Sequence, residues 1–376
     1  MVQQVHFSRT LCWRLSMAPK LPKIPDPDTL VADGFSFSDR NPNSRYRDFA
    51  YLSLELGLRA FCGTYEPIRM DFSRIIGTST VQYSDTHYPI TYVERATETI
   101  LHFQHFAELI CKEILRKIHP LLAQENNSVS IIKAIKGKLT DSDISELGLK
   151  SHQFSNTVQS ITDLNKAKLL PRAVEKTILP HLNALNKLNY LRNRLWHRGT
   201  FSLRYQALDQ FVGFHLLPFV QAIMRSKLLK KPNWLLSLKT NSGIHPLRAM
   251  ASSFKAGYNP KRIAILKELA RAAYESPIRG HAFSIGDDAR IKELAIASAA
   301  SRPEAESVVD CPVCGVKSLA LVEDTYDSED PDDGPAGVYV FEVECDCCGF
   351  CLWSDVGTPS AVGLSLPKYW KHRNWR

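Results

Sequence analysis

The stretch YVERATETILHFQHFAELICKEILRKIHPLL, residues 92–122, decides the fold. Ile100, Phe103, Phe106, Ile110, Ile114 and Leu115 recur at three- and four-residue spacings, the period of one face of an α-helix. The spacing predicts a long amphipathic helix that ends near Pro120, because proline has no N–H to continue the ladder. Such a stripe must be covered by other apolar faces, and the downstream sequence supplies them. After a polar break at 124–128, helices are predicted over 129–136, 151–168, 172–198 and 204–230. The third carries Ile178, Leu182, Leu185, Leu188, Leu191 and Leu195 as its stripe, starts beside Pro171, is divided by Pro180 and stops at Gly199. The fourth is apolar through LDQFVGFHLLPFVQAIM, residues 208–224, as expected of a buried helix. Residues 92–230 therefore read as an up-and-down bundle of four or five helices.

Outside that bundle, residues 45–62 are helix-like. Residues 68–93 mix Thr, Tyr, Val and Ile with Gly77 and Pro89, which predicts short strands or irregular packing. Residues 231–258 read as loop, 260–274 and 286–300 as short helices, and SRPEAES from Ser301 as a linker. The expected organisation is a flexible extension over 1–28, a mixed region over 29–91, the bundle over 92–230, a helical accessory region and linker over 231–302, and a small β-rich domain with a basic aromatic tail over 303–376. The fold class is mainly α.

The chain has 376 residues, 44% of them hydrophobic and 23% charged, enough for a substantial core. The absence of a secretory signal pattern and of ~18 uncharged apolar residues in a row points to a cytoplasmic protein without a membrane partner. Charge is polarised. Residues 303–376 hold 14 Asp+Glu against 5 Lys+Arg, whereas residues 1–302 hold 42 Lys+Arg against 25 Asp+Glu. A body with a net +17 makes a polyanion the expected partner, nucleic acid ahead of an anionic membrane surface.

Six of the nine cysteines crowd the C-terminal part. CPVCG at 311–315 and CDCCG at 345–349 are two CxxCG knuckles, each with a glycine for the tight turn. Between them lie strand-like SLALVE and VYVFEVE on either side of an acidic turn. This pattern predicts a zinc ribbon in which Cys311, Cys314, Cys345 and Cys348 hold a structural Zn2+. Cys347 and Cys351 are alternative ligands, since CGFC at 348–351 repeats the spacing. The acidic ribbon is expected to dock on the basic body or on a basic partner. The late LPKYWKHRNWR, residues 366–376, alternates basic and aromatic residues as single-stranded RNA binders do.

The candidate catalytic segment is YLRNRLWHRG, residues 190–199. Arg192 interrupts the apolar sector of its helix, which is costly unless an anion or a polar network meets it. Asn193 and His197 are four residues apart and share a flank, while Arg192 and His197 differ by about 140° and about 7.5 Å of rise. Two copies about a two-fold axis would line one cleft with two arginines and two histidines. Arg192 can balance phosphorane charge, His197 can move a proton, and Arg194 and Arg198 can hold neighbouring phosphates, with no catalytic metal. His102, His105 and Glu108 also share a helix face and read as surface polar residues.

Arg192, Asn193 and His197 match the Arg-Asn-x-x-x-His pattern near a helix end that is found in ribonucleases of the HEPN superfamily, which this chain resembles over about residues 92–230. The resemblance implies an HEPN-like helical bundle, a homodimer, and an endoribonuclease acting through 2′-hydroxyl attack. Toxin or antiphage defence roles, with a neutralising or regulatory protein partner, are the settings it implies. The alternative it leaves is a non-catalytic HEPN-like RNA- or protein-binding module with the ribbon as regulator.

Overall fold

A computed structural model describes residues 47–77, 88–123, 153–199, 201–229, 240–278, 287–326 and 337–366, with Lys133, residues 136–138, Thr140 and Leu238 between them. The expectations for 1–28, 129–132 and the tail beyond Leu366 lie outside the described residues.

The long helix is present as α3 (Ile90–Ile118), ended by His119 in extended conformation before Pro120. Helix α1 (Arg47–Cys62) lies along it, and the two bury Leu54, Leu58 and Phe61 in one core with Phe103, Phe106 and Ile110. The segment expected to hold strands is helical where it is described: a 3-10 turn over Glu66–Asp71 leads into α2 (Phe72–Gly77). Ile68, Phe72 and Ile75 are all buried at spacings of four and three, and this helical period overrides the strand propensity of their neighbours.

Helices α4 (Phe154–Lys166), α5 (Arg172–Ile178) and α6 (Leu182–Arg198) follow. Pro180 separates α5 from α6 through a 3-10 turn, and Gly199 closes α6 in the left-handed conformation. Leu185 and Leu188 turn inward where α6 packs on α3 and α4. Helix α7 (Tyr205–Arg225) contains a π-turn over Val212–Leu216. By length and composition it is the one helix among the described residues able to cross a membrane, yet half of it is buried, and Leu208, Val212, Leu216 and Phe219 belong to the core.

The region expected to be loop contains α8 (Pro246–Ala256). Pro246 at its first turn and Leu247, Met250 and Phe254 on one face supply an ordinary helix pattern. A Cβ at Gly213 would sit about 2.2 Å from the Phe254 ring, so glycine is what lets α8 pack against the π-turn. Helices α9 (Pro260–Glu275) and α10 (Asp287–Ala300) match the two predicted short helices.

The C-terminal sheet has four antiparallel strands in sequential order: β1 (Ala305–Asp310), β2 (Lys317–Tyr326), β3 (Gly337–Cys345) and β4 (Cys351–Trp353). The two central strands were legible, whereas β1 begins inside the expected linker and β4 is only three residues long. Arg302 pins the start of β1 by pairing with Glu344 at 2.9 Å and Asp346 at 2.5 Å. The regions read as separate domains share one core that runs from Ala50 to Leu364.

Helix α9 explains this continuity. Every residue from Ile263 to Tyr274 is buried, because α1 and α8 cover part of the helix and the ribbon end covers the rest. Three charges lie within it. Lys267 donates to Asp209 at 2.5 Å and stands 4.2 Å from the ring centres of both Phe61 and Tyr205. Burial pushes Asp209 up and Lys267 down, and their mutual contact opposes both shifts. Glu268 accepts two bonds from Arg271 and a third, at 2.8 Å, from the Cys351 backbone N–H. Arg271 also donates to the Gly349 carbonyl.

Candidate active site and candidate metal centre

The last two turns of α6 carry the candidate catalytic residues. Arg192 is half-buried and donates to the Asn193 side-chain oxygen at 3.0 Å, while its guanidinium lies 5.4 Å from the centre of the Trp196 ring. Among the described residues it has no carboxylate partner, so the cation is positioned by an amide and an aromatic face without being neutralised. His197 is exposed. The Arg194 guanidinium sits 4.5 Å from the Phe201 ring centre and donates to the Tyr190 hydroxyl at 3.3 Å. The side chain of Arg198 lies outside the described residues.

The chain after Gly199 is anchored from the start of α3 and from Tyr88 just before it. The Tyr92 hydroxyl donates to the Leu203 carbonyl at 2.8 Å, and the Tyr88 hydroxyl accepts from the Tyr205 N–H at 3.0 Å. Beside this anchored segment opens a cavity of about 560 Å3 lined by Tyr88, Tyr92, Phe201 and Arg204. Tyr190 and Trp196 remain 58% and 66% exposed, the aromatic surface nearest the motif in sequence. The sequence reading of the motif gives Trp196 no part in the candidate site. Its place one turn beyond Arg192 was the available signal for a cation–π partner.

The structure gives the other polar face of α3 ordinary work. His105 Nδ1 is 2.7 Å from Ser53 Oγ on α1, and Glu108 accepts from Gln104 and Lys112 along the helix.

The metal centre is assembled from both knuckles. The Sγ atoms of Cys311, Cys314, Cys345 and Cys348 all lie within 4.8 Å of one another, close enough to hold one metal ion. Cys311 and Cys348 are 3.6 Å apart, and Cys314 and Cys345 are 3.7 Å apart. Four sulfurs about a metal at about 2.3 Å define a tetrahedron with edges of about 3.8 Å, so these separations fit coordination. They are far longer than the ~2.05 Å of a disulfide.

Local sequence makes the geometry. In each knuckle the glycine N–H donates to the carbonyl of the first cysteine, at 2.9 Å for Gly315 and 2.8 Å for Gly349. Both glycines have positive φ, 76° and 67°, which closes the turn. The 240–245 turn supports the first knuckle, with Asn241 and Ser242 N–H groups donating to the Val313 and Pro312 carbonyls. Glu268 and Arg271 support the second.

Neither alternative ligand joins the cluster. Burial pushes the Cys347 thiol up to about 12. The Cys351 thiol lies 3.3 Å from Glu342 Oε1. The isolated Cys62 and Cys111 are fully buried, and burial raises both thiols to about 12, which keeps them protonated and unreactive. The clamp residues Glu268 and Arg271 escaped sequence reasoning, although charged residues set among the apolar positions of KRIAILKELARAAYE were a signal for buried pairs.

Comparison with protein-family models, with curated proteins and with solved structures finds no match, so function is read from the residues themselves.

Proposed function

We propose that this chain is an endoribonuclease of HEPN type that cleaves RNA through 2′-hydroxyl attack, without a catalytic metal. The observation that carries the reading is Arg192, a half-buried cation held by Asn193 and Trp196, with no carboxylate partner among the described residues and an exposed imidazole five residues on. Such a cation is ready for a phosphate, which a guanidinium can meet with two parallel hydrogen bonds.

In the proposed step the ribose 2′-oxygen loses its proton and bonds to the adjacent phosphorus while the bond from phosphorus to the 5′-oxygen breaks. The departing oxygen takes up a proton. His197 from one copy accepts the first proton, His197 from the second supplies the other, and Arg192 balances the charge on the phosphorane. One fragment then ends in a 2′,3′-cyclic phosphate, or in the 3′-phosphate formed by its hydrolysis, and the other begins with a 5′-hydroxyl. The separation of Arg192 and His197 along one helix requires the homodimeric cleft, and the exposed Tyr190 and Trp196 give that interface an aromatic surface. Arg194 and Arg198 hold flanking phosphates.

The metal is structural Zn2+, since four thiolates form a closed tetrahedral site with no open position for substrate. A cytoplasmic toxin or antiphage defence effector, restrained by a regulatory protein, is the setting we assign.

The test compares RNA cleavage by the native chain with Arg192→Ala and His197→Ala. Each variant should lose about 10² to 10⁴ in rate while keeping its fold, because positioned proton transfer contributes that much. RNA binding without cleavage by the native chain would favour the non-catalytic module, in which Tyr190 and Trp196 serve as a contact surface.

A further inference from the structure

Between Asp209 and Glu268 the sequence holds ten Lys+Arg and no Asp or Glu. The fold shapes part of this acid-free run into a groove. The second half of α7 and one face of α8 border a cavity of about 490 Å3, and a smaller hollow of about 160 Å3 continues it past Leu217 and Ala251, which line both. Arg225 stands on the α7 wall, and Arg248 and Lys255 stand on the α8 wall. The last two are seven residues apart, which places them on one helix face with about 10.5 Å of rise between them. All three cations are exposed, none has an ion-pair partner among the described residues, and no carboxylate lines either hollow. A cleft lined by one sign of charge concentrates counter-ions, so an anion is the ligand this lining favours.

The rest of the lining says what kind of anion. The floor is apolar, with Leu217, Met224 and Ala251. At the smaller hollow Phe214 is 41% exposed, and its ring is held edge to face on Phe254 with ring centres 5.3 Å apart. Lys255 borders that hollow as well. Cations on both walls, an apolar floor and a fixed, exposed ring at one end match a polymer that alternates phosphates with flat bases. We propose that the groove between α7 and α8 binds single-stranded RNA, its phosphates on Arg225, Arg248 and Lys255 and one base stacked on Phe214. An anionic membrane would instead call for cations on one open face, and an acidic peptide would leave Phe214 without a flat partner. Arg192 and His197 line neither hollow, so strand binding here stands or falls separately from the cleavage reading.

The experiment titrates the full chain, over a range of salt concentrations, with a fluorescent 2′-O-methyl oligoadenylate of about 12 nucleotides, which lacks the attacking hydroxyl. The native chain should bind. Combined Arg225→Ala, Arg248→Ala and Lys255→Ala should weaken binding by about 30-fold or more and flatten the slope of log Kd against log salt by about 2, since each phosphate contact to a single strand contributes about 0.7. Phe214→Leu should weaken binding by about tenfold with the slope unchanged, as loss of one stacked base does, whereas Phe214→Trp should retain it. Arg290→Ala, which removes an exposed cation on α10 outside the groove, should stay within about twofold of native. Circular dichroism and metal content should be unchanged in every variant. No binding by the native chain, a triple variant with native affinity and slope, or an equal loss with Arg290→Ala overturns the proposal. So does displacement of the oligonucleotide by polyglutamate as effective, charge for charge, as by unlabelled oligonucleotide, the result expected of a site for acidic protein. Loss of adsorption to phosphatidylserine vesicles in the triple variant, with oligonucleotide binding intact, would assign the groove to a membrane surface and overturn the proposal equally.

Discussion

At the scale of single residues, what a side chain can do here is set by what surrounds it. Arg192 and Arg271 are both partly withdrawn from water, yet Arg271 has two carboxylates within 2.8 Å whereas Arg192 has an amide and a ring. Arg271 is consumed in holding the fold, while Arg192 is not paired with a carboxylate among the described residues. Asp355 shows the cost of incomplete pairing. Burial raises its carboxyl from 3.8 to about 6 even though the Ser73 N–H donates to it. The folded chain therefore retains this proton longer than the unfolded chain, and the contribution to stability falls as pH rises from about 4 to about 6. At 1.36 kcal/mol per pH unit the loss is up to about 3 kcal/mol. Asp355→Asn should abolish that part of the slope and leave the variant more stable than the native chain above pH 6, as read by denaturant unfolding across pH 4 to 8. Identical slopes for the two proteins would refute the assignment. That Arg192, Asn193 and His197 lie together on the end of one helix was legible in the sequence. Trp196 was missed as their neighbour, although its place one turn beyond Arg192 allowed the cation–π contact.

At the scale of elements, periodicity was the reliable guide, and composition misled it. The buried stripes of α3 and α6 follow their sequence spacing, but α8 was hidden by flanking loop residues although Leu247, Met250 and Phe254 carry the same signal. The knuckles were readable because four cysteines and two glycines within forty residues define them locally. What clamps them was not readable, since Glu268 meets Cys351 across 83 residues of chain. That clamp yields a prediction. Glu268→Leu leaves Arg271 buried with Glu275 and the Gly349 carbonyl as its remaining partners among the described residues, and removes the acceptor of the Cys351 N–H, so stability should fall by about 3 to 5 kcal/mol. Double substitution of Glu268 and Arg271 by apolar residues should recover much of the loss. A single variant as stable as the native chain in denaturant would show that the clamp contributes nothing.

At the scale of the whole molecule, body and ribbon are one packed object, which the sharp change in charge near residue 303 concealed. Fold class and metal-ligand set were legible in the sequence. The shared core was not, because it depends on α9 being covered by elements from both ends of the chain. Chelation should accordingly do more than release an accessory module. Removing the metal from Cys311, Cys314, Cys345 and Cys348 should unfold the sheet, uncover α9 and lower the melting temperature of the helical signal itself, with one zinc per chain recovered beforehand in protein purified without chelator. A helical melting curve unaffected by loss of the metal would contradict this coupling. Under the proposed mechanism the ribbon would bear on cleavage only through stability, since the groups placed at the end of α6 are an arginine, an asparagine and a histidine. The most direct measurement of the central claim is end-group analysis of RNA cut by the purified full chain. The account predicts fragments ending in 2′,3′-cyclic phosphate or 3′-phosphate and fragments beginning with 5′-hydroxyl, all absent with folded Arg192→Ala and His197→Ala. Intact RNA, fragments with 5′-phosphate ends, or the same products from both variants would contradict it.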